Sequence, residues 1–219
     1  MTSLRVQVLA EYLGTLLLLA IVAGSGHMGE SLSSGNAAVA LLGNSIATGA
    51  GLFVLITLLG PISGAHFNPV VTLMFWVQKE YGFSKALSFM AAQISGAISG
   101  IFLTHFMFGL DILQSSTKLR TGPGIWMSEF VSTLLLLAVI YLAIRVAKEK
   151  VALLVAMIVT AGYWFTSSTF FSNPAVTLAR SLTNTFVGIH PGDVLGFIIA
   201  QIAALIVLVL VSVTISKKI

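Results

Sequence analysis

Six stretches of this chain are apolar for long enough to cross a lipid bilayer, and that fixes the solvent in which it must fold. They fall at about 6–24, 36–60, 83–108, 125–147, 151–169 and 191–215. A helix rises about 1.5 Å per residue, so roughly 20 residues cross a hydrocarbon core ~30 Å thick. Charge agrees with length: Asp, Glu, Lys and Arg are 8% of the 219 residues, where a soluble domain carries about 25%. So few charges cannot cover a water-facing surface, and lipid must be the outer solvent. Arg5 followed by Leu16–Leu19 and the small residues near Ala23 imitates a cleaved leader. Glu11 inside that segment, and its recurrence in mid-chain, read it instead as a retained first helix.

The spans form two related sets of three. The run from Ala10-Glu11-Tyr12-Leu13-Gly14-Thr15 to Leu19-Ala20 returns as Ser128-Glu129-Phe130-Val131-Ser132-Thr133 to Leu137-Ala138. Phe67-Asn68-Pro69-Val70-Val71-Thr72-Leu73 returns as Ser172-Asn173-Pro174-Ala175-Val176-Thr177-Leu178, and Ala92-Gln93-Ile94 as Ala200-Gln201-Ile202. Three spans per half is an odd number, so the second copy enters from the opposite face: an inverted repeat, 1–115 and 120–219, within one channel domain, 1–219. The net charge of +4 comes from short inter-helix segments, a pattern of topology rather than of nucleic-acid binding. With both termini cytoplasmic, Arg5, Lys79, Lys85, Arg145, Lys148, Lys150, Lys217 and Lys218 lie inside. Lys118, Arg120 and Arg180 then lie outside. A multi-pass protein of the cell inner (plasma) membrane is expected.

Each half also has one segment too short to span, about 68–77 and about 173–182. Ten helical residues reach about 15 Å, half the hydrocarbon thickness. Both begin with Asn-Pro. Asn caps a helix by accepting an orphan backbone N–H, and Pro fits the first helical position because it has no N–H to leave unpaired. Gly60-Pro61-Ile62-Ser63-Gly64-Ala65-His66 and Thr166-Ser167-Ser168-Thr169 precede them. Non-helical backbone at membrane depth survives only in a cavity wall or buried in protein. Two half-helices are therefore predicted to meet at the midplane, with the NH₂ groups of Asn68 and Asn173 pointing into a pore.

At these residues the chain resembles the major intrinsic protein family, the aquaporins and glycerol facilitators. The match takes in Glu11, Ser63-Gly64-Ala65-His66-Phe67-Asn68-Pro69, Gln93, Glu129, Asn173-Pro174-Ala175 and Gln201. It implies an all-α membrane protein with six transmembrane helices plus two re-entrant half-helices, one pore per subunit and a homotetramer. It also places His66 beside the cytoplasmic half of the pore. Glu11 and Glu129, expensive inside a membrane unless paired, read as structural acceptors for re-entrant backbone, and Gln93 and Gln201 as inter-helix clasps. His105 reads as a satisfied buried histidine, Gly96-x-x-x-Gly100 as close helix packing, and Trp126 with Tyr141 as interfacial anchors.

Two departures from the family pattern concern selectivity. Val70 stands where an alanine is usual, a change of packing. Val176 stands where most members carry an arginine of the outer filter. Arg180, four residues on and about 6 Å further along the half-helix, is expected beyond the filter rather than in its place. Family spacing puts the other filter positions at Thr48, Ala161 and Phe170, with Gly162 or Tyr163 as alternatives in the fifth span. Such a filter is wide, apolar and free of arginine. The resemblance extends to bacterial aquaglyceroporins with valine at this site that are associated with arsenic resistance.

The expected function is passive passage of water, glycerol-like polyols and neutral metalloid hydroxides such as arsenite. The alternatives are an ion-coupled secondary transporter or a weakly anion-permeable channel. No Ser/His/Asp set, phosphate loop or metal-ligand spacing occurs and there is no cysteine, so no enzyme, cofactor or metal is expected.

Overall fold

Eight α-helices and no strand make up the described residues, which run from Thr2 to Ile215 in this computed structural model, with side chains described as far as Ser212. In chain order they are α1 (Leu4–Leu32), α2 (Ala37–Ser63), α3 (Pro69–Val77), α4 (Phe83–Met107), α5 (Pro123–Val146), α6 (Val151–Phe165), α7 (Pro174–Arg180) and α8 (Val194–Ile215). Lys217 and Lys218, counted above among the basic residues of one face, lie outside the described residues.

Five of these helices are long and apolar enough to cross a membrane: α1, α2, α4, α5 and α8. The sixth span is shorter than expected. α6 has 15 residues, about 22 Å, and stops at Phe165, not near 169. Thr166 ends it: its hydroxyl and its backbone N–H both turn back to the Gly162 carbonyl, at 2.7 and 3.2 Å. The chain then doubles back towards Asn173. α1 runs further than hydropathy suggests, through Gly24-Ser25-Gly26-His27 to Leu32.

α1 packs on α2 and α4, and α5 packs on α6 and α8 in the same way. α3 and α7 touch each other, and each also lies against a long helix of the opposite half, α3 on α8 and α7 on α4. Two halves so interlocked form one bundle. The α1–α4 seam depends on small residues: a Cβ on Gly96 would lie 2.4 Å from the Tyr12 carbonyl oxygen, and one on Gly100 2.3 Å from that of Leu16. That is the close backbone approach expected of Gly-x-x-x-Gly.

Exposure is inverted relative to a soluble protein. Leu9, Leu17, Leu58, Met157 and Leu210 face outward, while Glu11, Asn44, Gln93, Glu129 and Gln201 are buried. Trp126 is at the surface. Tyr141 is not: it is buried, with the Arg145 guanidinium 3.5 Å over its ring. Tyr141, expected at the interface, is thus a residue of the bundle interior.

Candidate functional site: the Asn-Pro junction and its cavity

The junction is built from the caps outward. Asn68 Oδ1 accepts the Val70 N–H at 3.0 Å, and Asn173 Oδ1 accepts those of Ala175 and Val176 at 3.0 and 3.3 Å. Pro69 and Pro174 follow as the first helical residues. The amide nitrogens cross between halves: Asn68 Nδ2 donates to the Ser172 carbonyl at 2.7 Å and Asn173 Nδ2 to the Phe67 carbonyl at 2.8 Å. Each NH₂ thus spends one hydrogen on tying the halves together, and one remains for a solute. Val70 and Ala175 are fully enclosed, so the Asn-Pro-Val variation is a matter of packing.

The loops leading into the caps are held in the left-handed region at non-glycine residues. Ala65 and Phe67 have φ of 50° and 50°, and their counterparts Phe170 and Ser172 have 55° and 49°. Each such residue costs about 1–2 kcal/mol, and the buried glutamates offset it. Glu11 accepts Ser63 Oγ (2.6 Å), His66 N–H (3.0 Å), Phe67 N–H (2.7 Å) and Gln93 Nε2 (2.8 Å). Glu129 accepts Ser172 N–H at 2.5 Å and Gln201 Nε2 at 2.7 Å. Gln93 and Gln201 pass on to Thr72 and Thr177, at 2.8 and 2.9 Å. Each chain of bonds fastens a long helix, a re-entrant loop and a half-helix into one unit.

A cavity of about 130 Å³ runs past this junction. On the side nearer the amino terminus its wall is apolar (Ile56, Phe75, Ile140, Ile144, Val151) apart from His66. His66 stacks on Phe75 with centroids 4.7 Å apart and meets Thr72 Oγ1 at 3.1 Å. Beyond Asn68 and Asn173 the wall is Thr48, Tyr163, Phe170, Val176 and Arg180. Thr48 Oγ1 and the Tyr163 hydroxyl are 3.2 Å apart. Phe170 lies flush on Gly162, where a Cβ would come within 2.0 Å of the ring.

Ala161 does not belong to this wall. It is on the exposed outer side of α6, whereas Val155, Val159 and Tyr163 line the cavity. Residues four apart share a helix face, and a residue two away from each lies about 200° round. Tyr163, one of the two alternatives, occupies the wall. Arg180 also differs from expectation. It lies one turn outside Val176, as predicted, but its side chain turns inward: it is 2% exposed and lines the same cavity. His105 is a clasp between loops, contacting the Ile112 carbonyl and Thr183 Oγ1 at 2.9 and 2.8 Å.

Residues 1–168 match the family described as major intrinsic protein. The chain belongs to the major intrinsic protein family. It is 52% identical over 193 residues to the aquaglyceroporin AqpS of Rhizobium meliloti, covering 88% of this chain and 82% of that one. To aquaporin NIP2-1 of rice (Oryza sativa) it is 32% identical over 194 residues, 84% of this chain and 63% of that one. The X-ray structure of the aquaglyceroporin from Plasmodium falciparum has the same fold, with a TM-score of 0.69 at 19% identity, over 93% of this chain and 91% of that one. The family match ends just before Asn173, and the match to AqpS, over 193 of 219 residues, extends past it. With the family comes the class, a membrane channel and not an enzyme.

Proposed function

We propose that this chain conducts small uncharged solutes passively through the cavity at its Asn-Pro junction: water, glycerol-like polyols and neutral metalloid hydroxides such as arsenite. The observation that carries the reading is the crossed pair Asn68–Ser172 and Asn173–Phe67, which leaves two amide hydrogens facing one narrow passage. A hydroxylated solute accepts from these two donors and is oriented by them. The loop backbone at Gly64, Ala65, His66, Phe171 and Ser172 lines the same cavity and supplies carbonyl acceptors on either side. The solute is resolvated throughout, while a chain of waters is broken at the donors. The starts of α3 and α7 add positive partial charge there, which opposes cations and hydronium.

Selectivity belongs to Thr48, Tyr163, Phe170 and Val176. Phe170 and Val176 present only carbon to the solute, and the Thr48 and Tyr163 hydroxyls meet each other, at the level where most members carry an arginine, so solutes larger than water are admitted. The 52% identity to a protein named an aquaglyceroporin supports this solute class. The domain reads as repeats 1–115 and 120–219, assembled as a homotetramer with both termini cytoplasmic. His66 lines the inner half. Glu11, Glu129, Gln93 and Gln201 hold the loops. Orientation has a clean assay because the chain has no cysteine: a single cysteine at Ser115 should react from outside and one at Lys148 from inside.

The test is stopped-flow light scattering on proteoliposomes with water, glycerol and arsenite in parallel. Rates that rise linearly with the gradient and ignore proton and sodium gradients are expected for all three. Saturating, ion-dependent uptake would replace the channel with a coupled transporter.

A further inference from the structure

The cavity's outer mouth carries charge that the passage of neutral solutes does not use. Arg180 is 2% exposed, lies in the cavity wall, and has its guanidinium 3.4 Å over the ring of Phe171. Its Nε donates to the Val187 carbonyl at 2.5 Å. Its two terminal nitrogens have no protein acceptor among the described residues. Arg120 lies over the same ring at 5.2 Å, fixed through Nε to the Gly188 carbonyl (2.8 Å) and through Nη1 to Thr169 Oγ1 (3.5 Å). Lys118 donates to the Phe186 carbonyl at 2.7 Å. Burial first, then the charges of Arg120 and Arg180, draw its ammonium below the usual range.

Among the described residues no carboxylate forms an ion pair with either guanidinium. The acidic groups around them have other partners: Glu129 holds Ser172 and Gln201, and Asp193 accepts the Arg120 backbone N–H at 2.7 Å. Glu129 acts on both guanidiniums through space but touches neither, so the two share one more distant carboxylate. Burying charge without a contacting partner is unfavourable, and an ion that supplies one recovers part of that cost. Backbone carbonyls and the faces of Phe171 and Phe186 hold the three cations in place, so the cluster is fixed in advance.

We infer that this mouth is a binding site for a small monovalent carboxylate, held by the free edge of the Arg180 guanidinium with Arg120 adding charge behind Phe171. A guanidinium edge offers two parallel donors that match the two oxygens of a carboxylate. Phe170 and Val176, in the same wall, give the hydrocarbon end a dry contact. The volume of about 130 Å³, shared along the whole passage, limits the ligand to a few heavy atoms, as in formate, acetate or propionate. The site lies outside Val176, where a bound anion would stand in the path of entering solutes. It rests on the channel reading only for being at a mouth, and binding is measured without flux.

The experiment is thermal unfolding of the purified full chain in detergent, followed by tryptophan fluorescence, as sodium acetate replaces sodium chloride at constant ionic strength. A saturable rise in Tm with acetate is expected. Arg180→Gln should weaken the half-saturating concentration at least tenfold and Arg120→Gln several-fold. Arg180→Lys keeps the charge but loses the planar edge, so it should abolish the preference for acetate over chloride; it carries the test if Arg180→Gln does not fold. Acetate acting no better than chloride on the unmodified chain, or an Arg180 variant titrating like it, would overturn the site. Failure of the channel reading would appear separately, as proteoliposomes without solute flux.

Discussion

At the first half-helix the ring of His66 stacks on Phe75. At the second, in the same register of the repeat, Phe171 lies beneath Arg180. Both pairs sit where the cavity opens from the Asn-Pro junction, one towards each face. The residues beneath them hardly differ between halves: Asn68 and Asn173, Thr72 and Thr177, Gln93 and Gln201, Glu11 and Glu129. Val71 and Val176 also correspond, so valine at this position makes the second half like the first, and the arginine stands one turn further out. Groups that hold backbone at membrane depth cannot change without orphaning a buried N–H. Groups that only face the cavity can, and the two mouths have diverged accordingly.

The largest expected effect tests whether the supports are equal. Glu11→Ala leaves Ser63, His66, Phe67 and Gln93 without their acceptor, and removing one side of such a buried charged network destabilises by about 3–5 kcal/mol. Glu129→Ala strands fewer groups and should lower Tm in detergent less; an equal or larger drop would show that the first loop has other support. Asn173→Asp sets a carboxylate oxygen against the Phe67 carbonyl, which Nδ2 meets at 2.8 Å. Stopped-flow rates should fall more than about tenfold for every solute, since each 1.36 kcal/mol is tenfold. Asn68→Asp should match it, and a much milder loss would break the equivalence of the two crossed bonds.

Packing offers a subtler comparison. In the first half Gly14 makes room for the Phe67 ring, with a Cβ there falling 2.0 Å from Cε1. In the second, Ser132 and Ser172 fill the same pair of positions with hydroxyls 3.0 Å apart. Gly14→Ala overpacks the junction, at about 1–3 kcal/mol, while Ser132→Ala removes hydrogen bonding of about 1 kcal/mol. Thermal unfolding should rank them in that order. The smallest effect tests the wall of α6: Ala161→Leu, on the outer side, should leave glycerol rates within about twofold, as expected for an exposed substitution. A large change would return Ala161 to the filter.

Much of this was legible in the residues. Runs of about 20 apolar residues have few fates other than a span, and Asn-Pro after a non-helical run marks a half-helix start. The glutamates could be read as supports because each recurs with its glutamine. The face of α6 could not be read. Val151–Phe165 is apolar all round, so it has no polar stripe to set its phase, and spacing alone chose Ala161 over Tyr163. Nor could the inward turn of Arg180, which depends on the Val187 carbonyl arriving from the loop between α7 and α8. Tyr141 went the same way, read at the interface but held inside beneath Arg145.

The central claim is that the passage is gated by size at Val176, and the most direct measurement is the ratio of glycerol to water permeability in proteoliposomes of the unmodified chain and of Val176→Arg. Arginine at this position is expected to cut glycerol entry at least about tenfold and leave water largely intact, so the ratio collapses. A ratio unchanged by the substitution, with the protein folded and water still crossing, would contradict it and move the filter elsewhere in the cavity.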